Sequence, residues 1–229
     1  MARHLDLEEQ EQLDEIKHFW KQYGNLVTWV LILGLGAIAA FNGWNYWQRT
    51  QAMQASVLYD EVERAGEAGD AERVERAFTD VREKYGSTTY AQQAGLLAAR
   101  VLLDKGKADP ARAALAWVAE NGKDPGYQAI ARLRLAGVLA DAKQYDDALK
   151  QLAAEMPAQF EPLVADRRGD IYQLQGKKAE AKAEYSKAWQ GLDEHSEYRR
   201  LVEVKLGALG VDPQTLKPPA AAASQPAKS

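Results

Sequence analysis

The hydrophobic and polar positions divide the chain into two parts with different patterns. No charged residue occurs between Lys21 and Arg49, and residues 26–47 are almost continuously apolar. From residue 48 onward, apolar positions recur at helical spacing in stretches of about 12 to 18 residues, separated by short turn signals. The pattern predicts one membrane-spanning helix followed by an all-α domain.

The apolar segment 26–47 has the length that a membrane crossing requires. A helix of about 20 residues spans the hydrocarbon core of a bilayer, which is about 30 Å thick. Amphipathic rings prefer the membrane surface, and aromatic residues flank both ends of the segment: Trp20, Tyr23, Trp29, Phe41, Trp44, Tyr46 and Trp47. We therefore predict a transmembrane helix over 26–47.

A cleaved signal peptide is the competing interpretation of this segment, because Ala37-Ile38-Ala39 resembles a small-residue cleavage site. That site lies inside the apolar run, however, and the 25-residue leader before it is net acidic, whereas signal peptides begin with a basic region. We expect an uncleaved anchor with a cytoplasmic N-terminus and an exported C-terminal domain. The Lys and Arg residues at the two ends are nearly balanced, so the positive-inside rule discriminates weakly.

Two features beside the membrane each allow two interpretations. Gly36, Ala40 and Gly43 share one face of the helix, where they could admit a partner helix or simply face lipid. The leader, residues 1–25, carries apolar residues at roughly helical spacing, so it is either an amphipathic helix on the inner membrane surface or a solvated segment. Its apolar positions are Leu5, Leu13, Ile16 and Trp20.

Residues 48–210 show an internal period. The clearest unit resembles the tetratricopeptide (TPR) signature, with small and aromatic residues at the spacing of a packed helical hairpin: Gly169, Tyr172, Gly176, Ala181, Tyr185 and Ala188. Its anchor, Gly169, follows earlier anchors at Val62, Ala99 and Ala136, with separations of 37, 37 and 33 residues. The period predicts a TPR-like α-solenoid of about four repeats, capped by a terminal helix over 196–209. An irregular helical bundle is the alternative.

The remaining chain and the composition narrow the possible functions. Residues 211–229 are rich in Pro and Ala and are predicted to be disordered. The chain has no Cys and only three His, so it offers little material for a metal or catalytic centre, and we predict neither a cofactor nor an enzyme. Residues 48–229 contain 26 basic and 27 acidic side chains, which gives no electrostatic footprint for nucleic acid.

The concave surface of stacked helical hairpins is the remaining candidate for function, because its shape suits peptides and partner helices. In the repeat frame its lining includes Tyr59, Glu63, Gln93, Leu96, Arg100, Leu103, Ile130, Leu133, Leu163, Asp166, Asp170 and Gln173. Several of these side chains could instead belong to the core within each repeat.

The order of these segments resembles the YfgM family. The likeness is most specific in the acidic stretch from Glu8 to Lys17, in the stretch from Phe19 to Asn25, and in Gly43-Trp44-Asn45-Tyr46-Trp47 at the end of the span. The resemblance implies a single-pass protein of the bacterial inner membrane, with its repeat domain in the periplasm, that acts as an ancillary subunit of the SecYEG translocon.

The resemblance also implies partners. Members of the family associate with PpiD, a membrane-anchored chaperone, and are thought to help exported, unfolded polypeptides reach periplasmic chaperones. The chaperone-like role would be non-catalytic. A second role implied by the resemblance is regulation of envelope stress signalling through the cytosolic leader.

Overall fold

The computed structural model describes residues 7–216, with side chains from residue 13 onward except that of Gln214. Two compact units divide the chain, Met1–Gln51 and Ala52–Ser229. Residues 7–216 form α-helices and two short 3₁₀ turns and contain no strand, which confirms the all-α class. Leu5 of the leader and residues 217–229 of the predicted tail lie outside the described residues.

The helices alternate with short connections. Their bounds are α1 (Leu7–Glu67), α2 (Ala71–Tyr85), α3 (Thr89–Asp104), α4 (Ala108–Asn121), α5 (Pro125–Asp141), α6 (Tyr145–Ala153), α7 (Glu161–Leu174), α8 (Lys178–Gly191) and α9 (Glu197–Ala208), with 3₁₀ turns at Ala158–Phe160 and Pro213–Thr215.

In the N-terminal unit, α1 is long and apolar enough to cross a membrane. An 18-residue stretch of it has a mean hydropathy of 1.9, and nearly all of its side chains are exposed. The hydroxyl of Thr28 donates a hydrogen bond to the carbonyl of Gly24 at 2.7 Å. This bond satisfies a polar group that would otherwise be costly to place in lipid.

The second unit begins with the last turns of α1, which pair with α2 as the first hairpin. Glu61 on α1 forms an ion pair with Arg73 on α2, with 2.6 Å between the charged atoms. The hydroxyl of Tyr85 on α2 lies 3.1 Å from Gln54 Oε1 on α1. The hairpins α3/α4, α5/α6 and α7/α8 follow, and α9 is the final helix. We call the first helix of each pair, together with α9, the A helices, and the second helix of each pair the B helices.

The same turn ends every A helix. Among the described residues, positive φ angles occur at Gly69, Gly106, Lys143, Gly176 and Gly210. In each turn the next residue's N–H bonds to a carbonyl five residues earlier, as Lys107 does to Leu102 at 2.8 Å. This is the Schellman pattern, which satisfies carbonyls left free at a helix end. Its recurrence at the period of the anchors identifies the repeat unit.

Buried small residues hold the hairpins together. The anchors Val62, Ala99 and Ala136 are at most 1% exposed. Gly169, the fourth anchor, is also buried, and the ring of Tyr185 from α8 lies against it. One apolar cluster covers the first three repeats and reaches Val164 and Ile171, whereas a second joins α7, α8 and α9.

The start of the predicted tail is ordered in the structure. Val211 and Leu216 pack against the second apolar cluster, and the 3₁₀ turn Pro213–Thr215 lies between them. These six residues therefore differ from the disorder that we predict from residue 211. Apolar contact with α9 explains the difference, because both side chains bury surface that composition alone does not reveal.

Candidate functional site: the A-helix strip

Side chains of successive A helices contact one another and form a continuous strip, which we call the A-helix strip. The rings of Tyr59 and Tyr90 lie 5.9 Å apart. Further along, the amide of Gln93 donates to the hydroxyl of Tyr127 at 2.7 Å. In a stack of helical hairpins, the first helices line the inner surface. The strip is thus the candidate surface for partner binding.

At its α1 end, the strip contains a cleft of about 580 Å³ between α1 and α3. Three residues that we predict to line the groove, Tyr59, Glu63 and Arg100, border it together. Burial is the main cause of a raised pKa of the Tyr59 hydroxyl, and the nearby carboxylate of Glu63 adds to it. Tyr59 therefore stays a neutral hydrogen-bonding group beside charged neighbours.

The middle of the strip is apolar and mostly half-buried. Leu103 is 36% exposed, whereas Leu96 is only 8% exposed and belongs to the core. Ile130 and Leu133 are half-buried and pack against the main apolar cluster, and Leu163 is half-buried on α7. Most of these side chains therefore pack against the core on one side and expose apolar surface to solvent on the other.

At its far end, the strip ends with α9, which pairs with polar side chains of α7. The carboxylate of Asp166 is 1% exposed. It accepts a hydrogen bond from Tyr198 at 2.6 Å and pairs with Lys205, whose Nζ lies 2.8 Å from both of its oxygens. Asp170 pairs with the same lysine at 2.7 Å. Asp166 and Asp170, which we predict to line this end, are thus bound to the terminal helix.

Two tyrosines complete this network. The hydroxyl of Tyr185 lies 2.8 Å from Asp170 Oδ1 and 2.9 Å from Gln173 Oε1. The pKa values of Tyr185 and Tyr198 are both raised, first by burial and then by hydrogen bonds to Asp170 and Asp166 respectively. Both hydroxyls consequently remain protonated donors and hold α7, α8 and α9 together.

The strip also includes residues that are absent from the lining we predict from the sequence. These are Tyr90, Tyr127, Arg134 and Arg167. The repeat frame contains a signal for them, because Arg134 and Arg167 each lie two residues before an anchor, and Tyr90 and Tyr127 each lie nine residues before one.

In the N-terminal unit, Gly36, Ala40 and Gly43 are exposed. A Cβ atom added at Gly36 or Gly43 would meet no neighbouring atom within 4 Å. This face has room for another helix, and the packing stripe remains a prediction.

Among the described residues, no group of three or more His, Asp or Glu side chains is placed to hold a metal ion.

Comparison with known proteins identifies the family. A family model described as a tetratricopeptide repeat-like domain matches residues 17–211. A relative from Neisseria gonorrhoeae (strain ATCC 700825 / FA 1090), named "Ancillary SecYEG translocon subunit", is 35% identical over 91% of this chain and 100% of its own length. The chain belongs to the YfgM family.

Other YfgM relatives carry the same name. The protein from Escherichia coli (strain K12) is 30% identical over 80% of this chain and 85% of its own length. The protein from Haemophilus influenzae (strain ATCC 51907 / DSM 11121 / KW20 / Rd) is 29% identical over 80% of this chain and 90% of its own length. The family resemblance and the TPR-like fold that we predict from the sequence are therefore confirmed.

Proposed function

We propose that this chain is an ancillary subunit of the SecYEG translocon, anchored in the inner membrane by 26–47, with residues 1–25 in the cytoplasm and the repeat domain in the periplasm. The name shared by its relatives carries this proposal, because the similarity covers the whole length of one of them. The apolar segment of α1 fits a single-pass anchor.

The repeat domain works in this proposal as a non-catalytic adaptor. Its A-helix strip receives exported, unfolded polypeptides and passes them to periplasmic chaperones, with a PpiD-like membrane chaperone as the neighbouring partner. Support comes from the partly exposed apolar side chains of the strip and from the cleft between α1 and α3. Apolar surface of this kind suits segments that have not yet buried their own side chains.

Site-specific photo-crosslinking tests the adaptor role. A photoreactive amino acid is placed at Arg100 or Leu103, both exposed on α3, in cells that export a stalled polypeptide. We expect adducts with that polypeptide or with a PpiD-like chaperone. Glu75 and Ala183 are matched control positions, since they are exposed on the B helices α2 and α8. Equal labelling from both sets of positions, or none from α3, would contradict the role of the strip.

The same chemistry tests the translocon contact. Crosslinkers at Ala40 should capture a SecYEG subunit more efficiently than crosslinkers at Ile38, which lies about 160° away around the helix. If Ile38 captures SecYEG as well as Ala40 does, the small-residue face is not the contact.

Protease treatment tests the topology. A protease added to intact spheroplasts should remove the repeat domain, because we place it outside the inner membrane. Protection of the large fragment would reverse the proposed orientation.

A further inference from the structure

Exposed acidic residues gather at the α1 end of the A-helix strip. They are Asp60, Glu63 and Glu67 on α1, and Asp104 at the end of α3, which borders the same cleft. The three following A helices each contribute one arginine: Arg100 on α3, Arg134 on α5 and Arg167 on α7. Arg100 and Arg134 are exposed and Arg167 is half-buried.

The three arginines lie close to the neighbouring A helices. Arg134 Nη1 lies 3.4 Å from the carbonyl oxygen of Leu96, which is one helical turn before Arg100. Arg167 Nη1 lies 3.5 Å from the position of a Cβ atom added to Gly137, which is about one turn after Arg134. We call Arg100, Arg134 and Arg167 the arginine track.

Two of these guanidinium groups have no carboxylate partner among the residues with described side chains. Arg100 makes neither a hydrogen bond nor an ion pair there, and Arg134 bonds to the Leu96 carbonyl and to no acid. Arg167 lies 3.6 Å from Asp170, but that carboxylate is already held by Lys205 at 2.7 Å. Arg100 shares its cleft with Glu63, Glu67 and Asp104 but forms no direct ion pair with them. The guanidinium groups of Arg100 and Arg134 can therefore pair with the carboxylates of a ligand.

An aromatic row accompanies the track, with members on α3 and α5 and in the 3₁₀ turn just before α7. Tyr90, Tyr127 and Phe160 each lie nine residues before an anchor, and all three are half-buried. Half-buried rings offer an apolar face, and those of tyrosine add a hydrogen-bonding edge. A ligand of the strip would thus meet one aromatic and one cationic group from α3, from α5, and from α7 together with the turn that precedes it.

We propose that the arginine track and the aromatic row bind an extended polypeptide segment with an acidic side chain at every third residue. Packed helices lie about 8–10 Å apart. A polyproline II chain advances about 9 Å in one three-residue turn, so one triplet matches one A helix. Carboxylates and guanidinium groups are complementary in charge and geometry.

This inference rests on the proposed adaptor function and specifies which exported segments the strip would hold. Segments with acidic residues between apolar or proline residues would bind, and basic segments would be rejected, because like charges brought together oppose association.

Peptide binding to the full-length protein in detergent micelles tests the inference. The probes are fluorescent peptides of four Tyr-Pro-Glu triplets and of four Tyr-Pro-Gln triplets, with fluorescence anisotropy as the measurement. We expect the Glu peptide to bind about tenfold more tightly, a difference that partly exposed ion pairs can supply together. This preference should shrink as salt is added.

Paired substitutions identify the groups that are responsible. Arg100→Gln with Arg134→Gln should abolish the preference for the Glu peptide and leave binding of the Gln peptide unchanged. Arg76→Gln with Lys123→Gln removes the same charge at exposed positions off the strip and should change binding less than about twofold. All four positions are exposed, so both variants should keep the unfolding midpoint of the parent, which is measured alongside.

Three results would overturn the inference: equal affinity for the two peptides, no binding of the Glu peptide, or the same loss of preference in both double variants. Equal affinity for both peptides would leave the adaptor function intact, because the crosslink from Leu103, which is not part of the track, judges that function independently.

Discussion

One side chain, that of Lys143, stands where the other turns after an A helix have glycine. Its φ of 60° lies in the left-handed region, as do those of Gly106 and Gly176 in the equivalent turns. A side chain in this conformation is disfavoured, because its Cβ crowds the following carbonyl oxygen. The third repeat therefore contains a local strain that its neighbours lack.

The change Lys143→Gly should raise the free energy of unfolding by about 0.5 to 1 kcal/mol, since glycine adopts this φ without steric cost. Urea denaturation of the full-length protein in detergent micelles measures the change. Gly176→Ala is the matched test in the opposite direction and should cost about 1 kcal/mol. An added Cβ there meets no neighbouring atom within 4 Å, so backbone strain alone acts. A stabilised Gly176→Ala variant would refute the argument.

The sequence frame predicts a turn at Lys143, because this residue lies seven positions after its anchor, as Gly106 and Gly176 do after theirs. It does not predict the partners of Asp166. Asp166 on α7 and Lys205 on α9 are 39 residues apart in the sequence, and their ion pair forms only when these helices pack against each other. Local periodicity therefore gives the turns, whereas the polar network at the far end of the strip depends on tertiary packing.

The hairpin α7/α8 depends on a missing side chain at the helix crossing. A Cβ atom added to Gly169 would lie 2.5 Å from the ring of Tyr185, which is 1% exposed and cannot move aside easily. Closely packed interiors do not accept such an insertion without displacement of a helix.

We expect Gly169→Ala to lower the free energy of unfolding by about 1 to 3 kcal/mol, with denaturant titration as the measurement. Gly207→Ala is the control, because its added Cβ meets nothing within 4 Å and alanine favours helix more than glycine does. That control should gain stability by up to about 1 kcal/mol. Equal effects at the two glycines would contradict the packing argument.

The terminal helix α9 is held by both apolar and ionic contacts. Val202 and Leu206 are fully buried in the second cluster, and Lys205 reaches the buried carboxylate of Asp166. Removal of one member of a buried ion pair leaves an uncompensated charge.

The change Lys205→Met should consequently lower the free energy of unfolding by about 3 kcal/mol. Limited proteolysis that releases α9 and denaturant titration both measure the effect. Arg200→Met changes an exposed residue of the same helix and should stay within about 0.5 kcal/mol of the parent. An unchanged Lys205→Met variant would show that the apolar contacts alone hold α9.

Element lengths show a limit of prediction from the sequence. The pattern predicts helices of about 12 to 18 residues, but α6 has nine and ends at Ala153. The chain is extended at Ala154, and Pro157 precedes the 3₁₀ turn. Arg168 from α7 donates to the carbonyl of Leu152 at 2.6 Å, which satisfies a free group at this early helix end.

For the molecule as a whole, the adaptor role that we propose and the regulatory role that the family resemblance implies use different parts of the chain. The adaptor role uses the A-helix strip, whereas the regulatory alternative uses the leader. Deletion of residues 1–18 keeps 26–47 and every residue of the second unit. We expect this variant to retain crosslinks from Arg100 and Leu103 at parental yield.

Envelope stress reporters measured in the same cells decide between the two roles. A lost stress response with intact crosslinks would support regulation through the leader as a separate function. Crosslinks that disappear with the leader would contradict the assignment of the adaptor role to the repeat domain.

A single helix, α1, supplies both the apolar segment and the first A helix, whose Val62 and Ala65 are fully buried in the main cluster. A breakpoint after residue 52 would therefore split the first repeat, whereas a breakpoint before Ala52 leaves the repeat array whole. Exchange of the lipid anchor between proteins is thus restricted to the earlier positions. Gene fusions that replace the anchor should remain foldable only where the junction falls before Ala52.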